Sequence, residues 1–277
     1  MTCAECGFVT GDFPVRRGSD DYQRIDMTKY QESIGVMRRT EAKQLVSLVD
    51  RNSPARRTWY DIGCGIGSVL KEALRAGYAV SGAEPDALAR GIASESLGGA
   101  QLDSRFDRQS VPDESQGVIS MLDVLEHIAP EDLASMARLV RTKLAPGGLW
   151  LLKVPSTDGL FYRLAHLAAA MSARAASPVI RRLWMMNYIS PHRIYFREAT
   201  LRRFIKRMGF EPADVLYTNA IPTGTILSRL RFDDTIPVWL SFVLAAPIAA
   251  LNLVEGLLRK TDSLVLLATK TGADLSD

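Results

Sequence analysis

The chain has 277 residues, 47% of them apolar and 23% charged, with a net charge of +3. That balance excludes an intrinsically disordered or collagen-like chain and allows a sizeable core in one large domain, or one domain with appendages. Three cysteines exclude a disulfide framework, and so small a net charge identifies no partner by itself.

Residues 1 to 35 are polar, glycine-containing and weakly patterned. Met1 to Asp12 lack the basic start and apolar run of a secretion signal, so a reducing cytoplasm is the expected setting. Cys3-Ala4-Glu5-Cys6 has the spacing of half a zinc site. Structural zinc wants four ligands, and no second cysteine pair follows.

From about residue 36 to 156, helix and strand signals alternate. Val36 to Asp50 is a predicted helix, with Val36, Leu45, Leu48 and Val49 among its apolar positions. Thr58 to Ile62 is a short strand that breaks at Gly63-Cys64-Gly65-Ile66-Gly67. Ser68 to Ala76 is a helix closed by Gly77 in the usual stop position. Tyr78 to Ala83 is the next strand, ending at Glu84-Pro85-Asp86, and Ala87 to Ser94 is a helix. Gly117 to Leu122 is a strand ending at Asp123. Pro130 to Leu144 is a helix with Glu131 and Asp132 in its first turn, where carboxylates favour the helix dipole. Ala145-Pro146-Gly147-Gly148 is a turn, and Leu149 to Val154 a further strand. The alternation predicts an α/β fold, a doubly wound and mostly parallel sheet with helices on both faces.

The last third mixes basic amphipathic stretches with a long apolar run. Between Gly159 and Arg207 ten basic residues stand against one acid, Glu198. Such a block has a positive field, although a solvated helical face carries the same signal. Residues 157–190 are expected to form a helical insertion or lid. Ile236 to Val254 is a run of nineteen residues without a charge, long enough for a membrane span. Pro237, Pro247 and Asn252 weaken that reading. So does Ser263 to Thr269, which reads as a strand and could not rejoin a cytoplasmic sheet after a crossing. The expectation is an apolar helix over 236–258 that packs on the domain or lies in an anionic membrane surface.

The glycine loop holds most of the chemical content. Glycines permit a tight turn and close approach of backbone to a ligand, the following helix start offers N–H groups, and ligands of open parallel sheets sit beyond the carboxyl ends of strands. A dinucleotide fingerprint needs G-x-G-x-x-G, but the third glycine here comes one residue early and Ser68 takes its place. A phosphate loop needs a Lys-Ser or Lys-Thr pair, which is absent. Asp61 before the loop suits a cationic or amine-bearing ligand better than a pyrophosphate. Glu84, at the end of the next strand, can accept hydrogen bonds from both hydroxyls of a ribose; its structural alternative is to cap the following helix.

These residues resemble the class I S-adenosylmethionine-dependent methyltransferases. The matching stretches are Asp61-Ile62-Gly63-Cys64-Gly65-Ile66-Gly67, Ala83-Glu84-Pro85-Asp86, Asp123-Val124-Leu125-Glu126-His127-Ile128 and Leu144-Ala145-Pro146-Gly147-Gly148, in family order. Pro191-His192-Arg193-Ile194-Tyr195-Phe196, followed by Leu201 and Gly209-Phe210, resembles the H-x-x-Y-F stretch of the branch containing ubiquinone-pathway O-methyltransferases. The resemblance implies a Rossmann-like sheet with a helical insertion and an apolar C-terminal helix. It implies S-adenosylmethionine as cofactor, held by Asp61, Gly63, Cys64, Gly65, Gly67, Glu84 and Asp123. The family's acidic residue near the adenine falls within Leu102 to Ser110, where both Asp103 and Asp107 stand. The two cysteines near the start look like the second half of the zinc ribbon that some relatives carry, in decayed form.

Methyl transfer asks the protein mainly to align donor and acceptor, and a base is needed only if the acceptor must lose a proton. The candidates for base or acceptor-orienting group are His127 and His192. Asp123, Glu126 and His127 offer metal-ligand atoms, but neighbours on a helix diverge by about 100°, and no metal is assigned. Relatives that act on base or amide nitrogens resemble one another in an Asn-Pro-Pro-Tyr stretch where this chain reads Asp123-Val124-Leu125-Glu126, which disfavours a nucleobase nitrogen as target. The expected acceptor is therefore an oxygen or carbon of a small or lipid-like molecule, with nucleic acid disfavoured. The alternatives are a protein or nucleic-acid methyltransferase, or a non-catalytic module that binds cofactor or membrane.

Overall fold

The computed structural model describes residues 8–11, 27–171, 183–184, 191–219, 223–232 and 237–272. Cys3 and Cys6 lie outside the described residues, as does much of the 157–190 segment. In chain order the elements are β1 (Val9–Thr10), α1 (Met27–Arg51), β2 (Thr58–Ile62), α2 (Ser68–Arg75), β3 (Ala79–Ala83), α3 (Ala87–Ser96), β4 (Leu102–Asp103), β5 (Gln116–Leu122), α4 (Leu133–Lys143) and β6 (Leu144–Pro155). Then follow α5 (Leu160–Met171), β7 (Ile194–Tyr195), α6 (Glu198–Arg207), β8 (Phe210–Thr218), α7 (Ile226–Phe232), α8 (Val238–Leu258) and β9 (Ser263–Lys270).

The chain divides into two compact units. A sheet unit comprises Arg38–Val154, Ala199–Leu216 and Val265–Asp277, and a helical unit comprises Met1–Met37, Pro155–Glu198 and Tyr217–Leu264.

In the sheet unit seven strands run in the order β4-β3-β2-β5-β6-β9-β8. The pairs β2–β3, β2–β5, β3–β4 and β5–β6 are parallel. Central strands of such sheets are covered on both faces, and β5 is accordingly buried on both, with Val118, Ile119 and Met121 fully buried and Ser120 among them. Helix α2 buries Val69, Leu70 and Ala73. Leu45, Leu48 and Val49 of α1 join Trp59, Leu70, Val118, Leu149, Leu151, Val265 and Leu267 in one core cluster. Successive strands fill the sheet outward on either side of the β2–β5 pair, so strand order reverses there. Ligands of doubly wound sheets bind beyond the strand ends at such a point.

Three local readings differ from the sequence expectation. Helix α1 starts at Met27, nine residues before the predicted Val36, within the segment read as weakly patterned. The helix after Pro130 begins as a 3₁₀ turn over Pro130–Asp132 and becomes α-helical at Leu133. The predicted Ala145–Gly148 turn is absorbed into β6: Gln116 pairs with Leu144 and Val118 with Leu149, so the intervening residues bulge out, with Gly147 at φ 71°.

In the helical unit, β1 and β7 form a small antiparallel sheet, Val9 opposite Tyr195 and Thr10 opposite Ile194. Phe8 packs edge-on against Phe196, ring centres 4.9 Å apart. Helix α8 packs against α7 and α5, and its Glu255 Oε1 accepts a hydrogen bond from Phe161 N at 3.0 Å. By length and composition alone, α8 is long and apolar enough to cross a membrane.

Candidate active site

The loop after β2 turns on three left-handed glycines, Gly63, Gly65 and Gly67, with φ of 75°, 54° and 78°. At Gly63 an added Cβ would stand 2.5 Å from Val124 Cγ2, whereas at Gly65 it would meet nothing within 4 Å. The first glycine is thus required by packing. The second keeps backbone bare where a ligand can approach.

Asp61, the penultimate residue of β2, is 3% exposed. Its register partner on β5 is Ser120, whose Oγ donates to Asp61 Oδ1 at 2.6 Å and accepts from Trp59 Nε1 at 2.8 Å. The indole donor leaves the hydroxyl proton only Asp61 to serve, so the carboxylate is fixed in place. Burial pushes the Asp61 carboxyl up to about 7, aided by the nearby charge of Glu84 and opposed by Ser120 and Arg38. A cationic ligand group in contact would bring it back down.

Glu84 follows β3. Its Oε2 accepts from Gly65 N at 2.8 Å and its Oε1 from Asp86 N at 2.9 Å. The helix cap is Asp86 instead, whose Oδ1 accepts from Ala89 N at 2.7 Å. Glu84 therefore ties the glycine loop to the end of β3. Each carboxylate oxygen has two lone pairs, so one-bond anchoring leaves further acceptor capacity. Beside it, Asp103 at the end of β4 accepts from Tyr60 Oη at 2.9 Å, and its carbonyl accepts from Glu84 N. Asp107 is occupied locally by Arg105 and Gln109 N. Of the two acids in that stretch, Asp103 is the one at a strand end. Cys64 is buried, and burial pushes its thiol far above the usual range.

Asp123 directly follows β5 with a left-handed φ of 58°. Its Oδ2 accepts from Arg38 Nη1 and Lys153 Nζ, each at 3.1 Å, and Glu41 Oε1 lies 2.6 Å from Lys153 Nζ. Burial works against the Asp123 charge, but the two cations outweigh it and hold the carboxyl far below its ordinary value. This four-residue ion cluster was not legible in the sequence, because Arg38 and Glu41 come from α1 and Lys153 from β6. Glu126, 1% exposed in a 3₁₀ turn over Leu125–His127, is pushed well above its ordinary value by burial and by the charge of Asp123. His127, half-buried, ends that turn, its backbone N–H bonded to Val124 O.

His192 belongs to the helical unit. Its Nδ1 lies 3.2 Å from Tyr195 Oη, which itself donates to Leu183 O at 2.6 Å. The tyrosine proton being spent on a carbonyl, its oxygen accepts from His192, so Nδ1 carries the hydrogen and Nε2 is the basic nitrogen. Tyr195 is packed in turn between Tyr162 and Trp184, ring centres at 4.9 and 4.6 Å. The two candidate histidines belong to different units.

A family model described as a methyltransferase domain matches residues 37–215. No curated protein sequence matches the chain. Solved structures share the fold at low identity. Magnesium protoporphyrin IX methyltransferase from Synechocystis, crystallised with bound SAH, is similar at 17% identity and a TM-score of 0.53, over 94% of this chain and 90% of that one. The 1,6-didemethyltoxoflavin-N1-methyltransferase of Burkholderia thailandensis, with its substrate and S-adenosylhomocysteine bound, is 14% identical with a TM-score of 0.53, over 95% of each chain. A Haloferax volcanii complex of the methyltransferase activator Trm112 with its candidate methyltransferase gives 15% identity and a TM-score of 0.57, over 92% of this chain and 99% of that one.

Proposed function

Because the chain belongs to the methyltransferase-domain family, we propose that it transfers the methyl group of S-adenosylmethionine to an oxygen or carbon of a small or lipid-like acceptor. The observation that carries this is the convergence of Asp61, the bare glycine backbone and Glu84 at the strand ends where the sheet reverses order. The residues fit the cofactor. Asp61 is a buried carboxylate raised to about 7, suited to an ammonium group; Gly65 has open space beside it; and Glu84 retains acceptor capacity for a ribose.

When bound, S-adenosylmethionine supplies a methyl group already activated by its sulfonium. The chain has only to bind, orient and exclude water. Asp61, locked by Ser120, receives the amino-acid end. Gly63, Cys64, Gly65 and Gly67 shape the loop, and Glu84 receives the ribose hydroxyls. Asp123, neutralised by Arg38 and Lys153, sets the end of β5 and so the place of Val124 against Gly63. His127, and His192 through Nε2, are the groups assigned to take a proton from a hydroxyl or acidic carbon acceptor.

A nucleobase nitrogen acceptor is disfavoured, and an oxygen or carbon acceptor favoured, by Asp123-Val124-Leu125-Glu126 standing where enzymes of base and amide nitrogens resemble one another in Asn-Pro-Pro-Tyr. A small acceptor is favoured by the likeness to the protoporphyrin and toxoflavin enzymes. The test is incubation of the full chain with methyl-labelled cofactor and host extract, followed by solvent partition. Label in the organic phase or in small aqueous products supports the reading, and label confined to protein or nucleic acid overturns it. Replacing Asp61 by Asn should weaken S-adenosylhomocysteine binding by about tenfold or more in a calorimeter, the scale of a lost charge-assisted hydrogen bond; unchanged affinity would remove Asp61 from the site.

A further inference from the structure

Helix α8 is inside out. Its exposed positions include Trp239, Phe242, Val243, Ala246, Ala250, Leu253, Val254 and Leu257. At 100° per residue they fall within an arc of about 120°, which the exposed Val238, Pro247 and Leu258 widen to about 200°, along a helix roughly 30 Å long. Its buried residues are Ser241, Asn252 and Glu255, which are polar and sit on the opposite side. Water-soluble helices have the reverse arrangement. The exposure is not marginal: Trp239 is 67% exposed and Leu257 77%. Only 17% of the most apolar window of α8 is buried, which is unlike a core helix. Neighbouring helices of the same unit add Leu164 and Leu167 on α5 and Leu227 on α7, all exposed.

The charges of this unit say what covers the stripe. Arg163 on α5, Arg231 on α7, and Arg259 and Lys260 directly after α8 are all exposed. Trp239 stands near the other end of the helix, and an amphipathic indole suits the headgroup level. A second copy of the chain laid on the stripe would offer these cations no added counter-charge, whereas an anionic lipid surface would neutralise them.

We propose that the apolar stripe of α8, with Arg259 and Lys260 directly after it, docks this protein on an anionic membrane surface, the helix lying in the interface without crossing it. Crossing is disfavoured by the polar side of the helix. Glu255 Oε1 is tied to Phe161 N, Asn252 O accepts from Asn219 Nδ2, and Asn252 Nδ2 reaches Thr223 Oγ1 at 3.5 Å. A spanning helix would have to surrender these bonds or carry their partners into the hydrocarbon. Half in lipid and half on protein, α8 satisfies both faces. The inference does not depend on which acceptor is methylated.

The test uses the full chain with phosphatidylcholine vesicles, prepared with and without phosphatidylglycerol, in a flotation gradient. At least about tenfold more protein should float with the anionic vesicles at low salt, as expected for several cations near a charged surface. Joint replacement Trp239→Asp, Leu253→Asp and Leu257→Asp should abolish flotation while leaving S-adenosylhomocysteine affinity unchanged, since these side chains are exposed. Arg259→Glu with Lys260→Glu should remove the preference for anionic vesicles, and salt on the unaltered chain should do the same. Three outcomes would overturn the proposal. The full chain stays with the soluble fraction under all conditions. The stripe variant floats as well as the parent, or merely turns a dimer into a monomer. Vesicle-bound protein resists carbonate extraction, as a spanning helix would.

Discussion

At the scale of single residues, the site rests on pairs that answer each other across the sheet. Ser120 serves two partners at once, so Ser120→Ala would leave Trp59 Nε1 buried without an acceptor and Asp61 without its donor. The expected loss is about 1–3 kcal/mol in urea unfolding, with weaker cofactor binding besides. The loop glycines separate two roles that sequence alone merges. Gly63→Ala combines a left-handed φ with a clash against Val124 and should destabilise the apoprotein markedly. Gly65→Ala bears the conformational cost alone, about 1–2 kcal/mol, and its main effect should be on cofactor affinity. Thermal unfolding and calorimetry on the two variants check the split. The glycines, Asp61 and Glu84 were legible because the motif is contiguous or sits at strand ends. Ser120, Trp59, Arg38 and Lys153 were not, because what brings them to the candidate site is register and packing between elements far apart in the chain, and no local pattern encodes it.

At the scale of elements, local chemistry predicted starts and stops well where a side chain decides them. Gly77 closes α2 at φ 85° as expected, while the cap of α3 is Asp86 and not Glu84, the capping alternative the sequence offered. That cap allows a clean separation of functions. Asp86→Ala removes the bond to Ala89 N and should cost about 1 kcal/mol of stability with little change in cofactor affinity. Glu84→Gln should do the opposite, keeping the fold and losing affinity. Equal effects of the two on binding would return Glu84 to a structural part. Elements set by pairing were harder to see. Strands of two residues, such as β1, β4 and β7, are too short for any period to show. The glycine-rich start of β6 reads as a turn because its ladder position depends on Gln116, a residue on another strand.

At the scale of the molecule, buried carboxyls raised by burial shape the response to pH: Asp61 and Asp262, with Glu126 acting in the same direction. Asp61 is pushed up to about 7 by burial, and so is Asp262, by burial and then by the charge of Glu255. A carboxyl whose folded value exceeds its unfolded value of 3.8 binds more protons in the native state. Its contribution is present at low pH and lost as pH rises from about 4 through about 7. The apoprotein's Tm should therefore fall across that range, and Asp61→Asn should flatten the slope. Cofactor affinity should rise over the same interval as Asp61 becomes charged, with proton release detectable by calorimetry in buffers of different ionisation enthalpy. The division into two units escaped the sequence reading for a related reason: the chain leaves the sheet unit after Val154 and returns to it at Ala199 and again at Val265, whereas hydrophobic periodicity is a local signal.

The distribution of indoles carries one more consequence. Of the four tryptophans, Trp59, Trp150 and Trp184 are buried and Trp239 is largely exposed. A water-borne quencher such as iodide will reach one fluorophore and spare three, so the accessible fraction of the emission belongs to α8. If that helix settles into lipid, this fraction should shift to shorter wavelength and become shielded, while the other three indoles keep their spectrum as an internal reference. The protein thus has a built-in optical gauge of where its helical unit is, readable without a label.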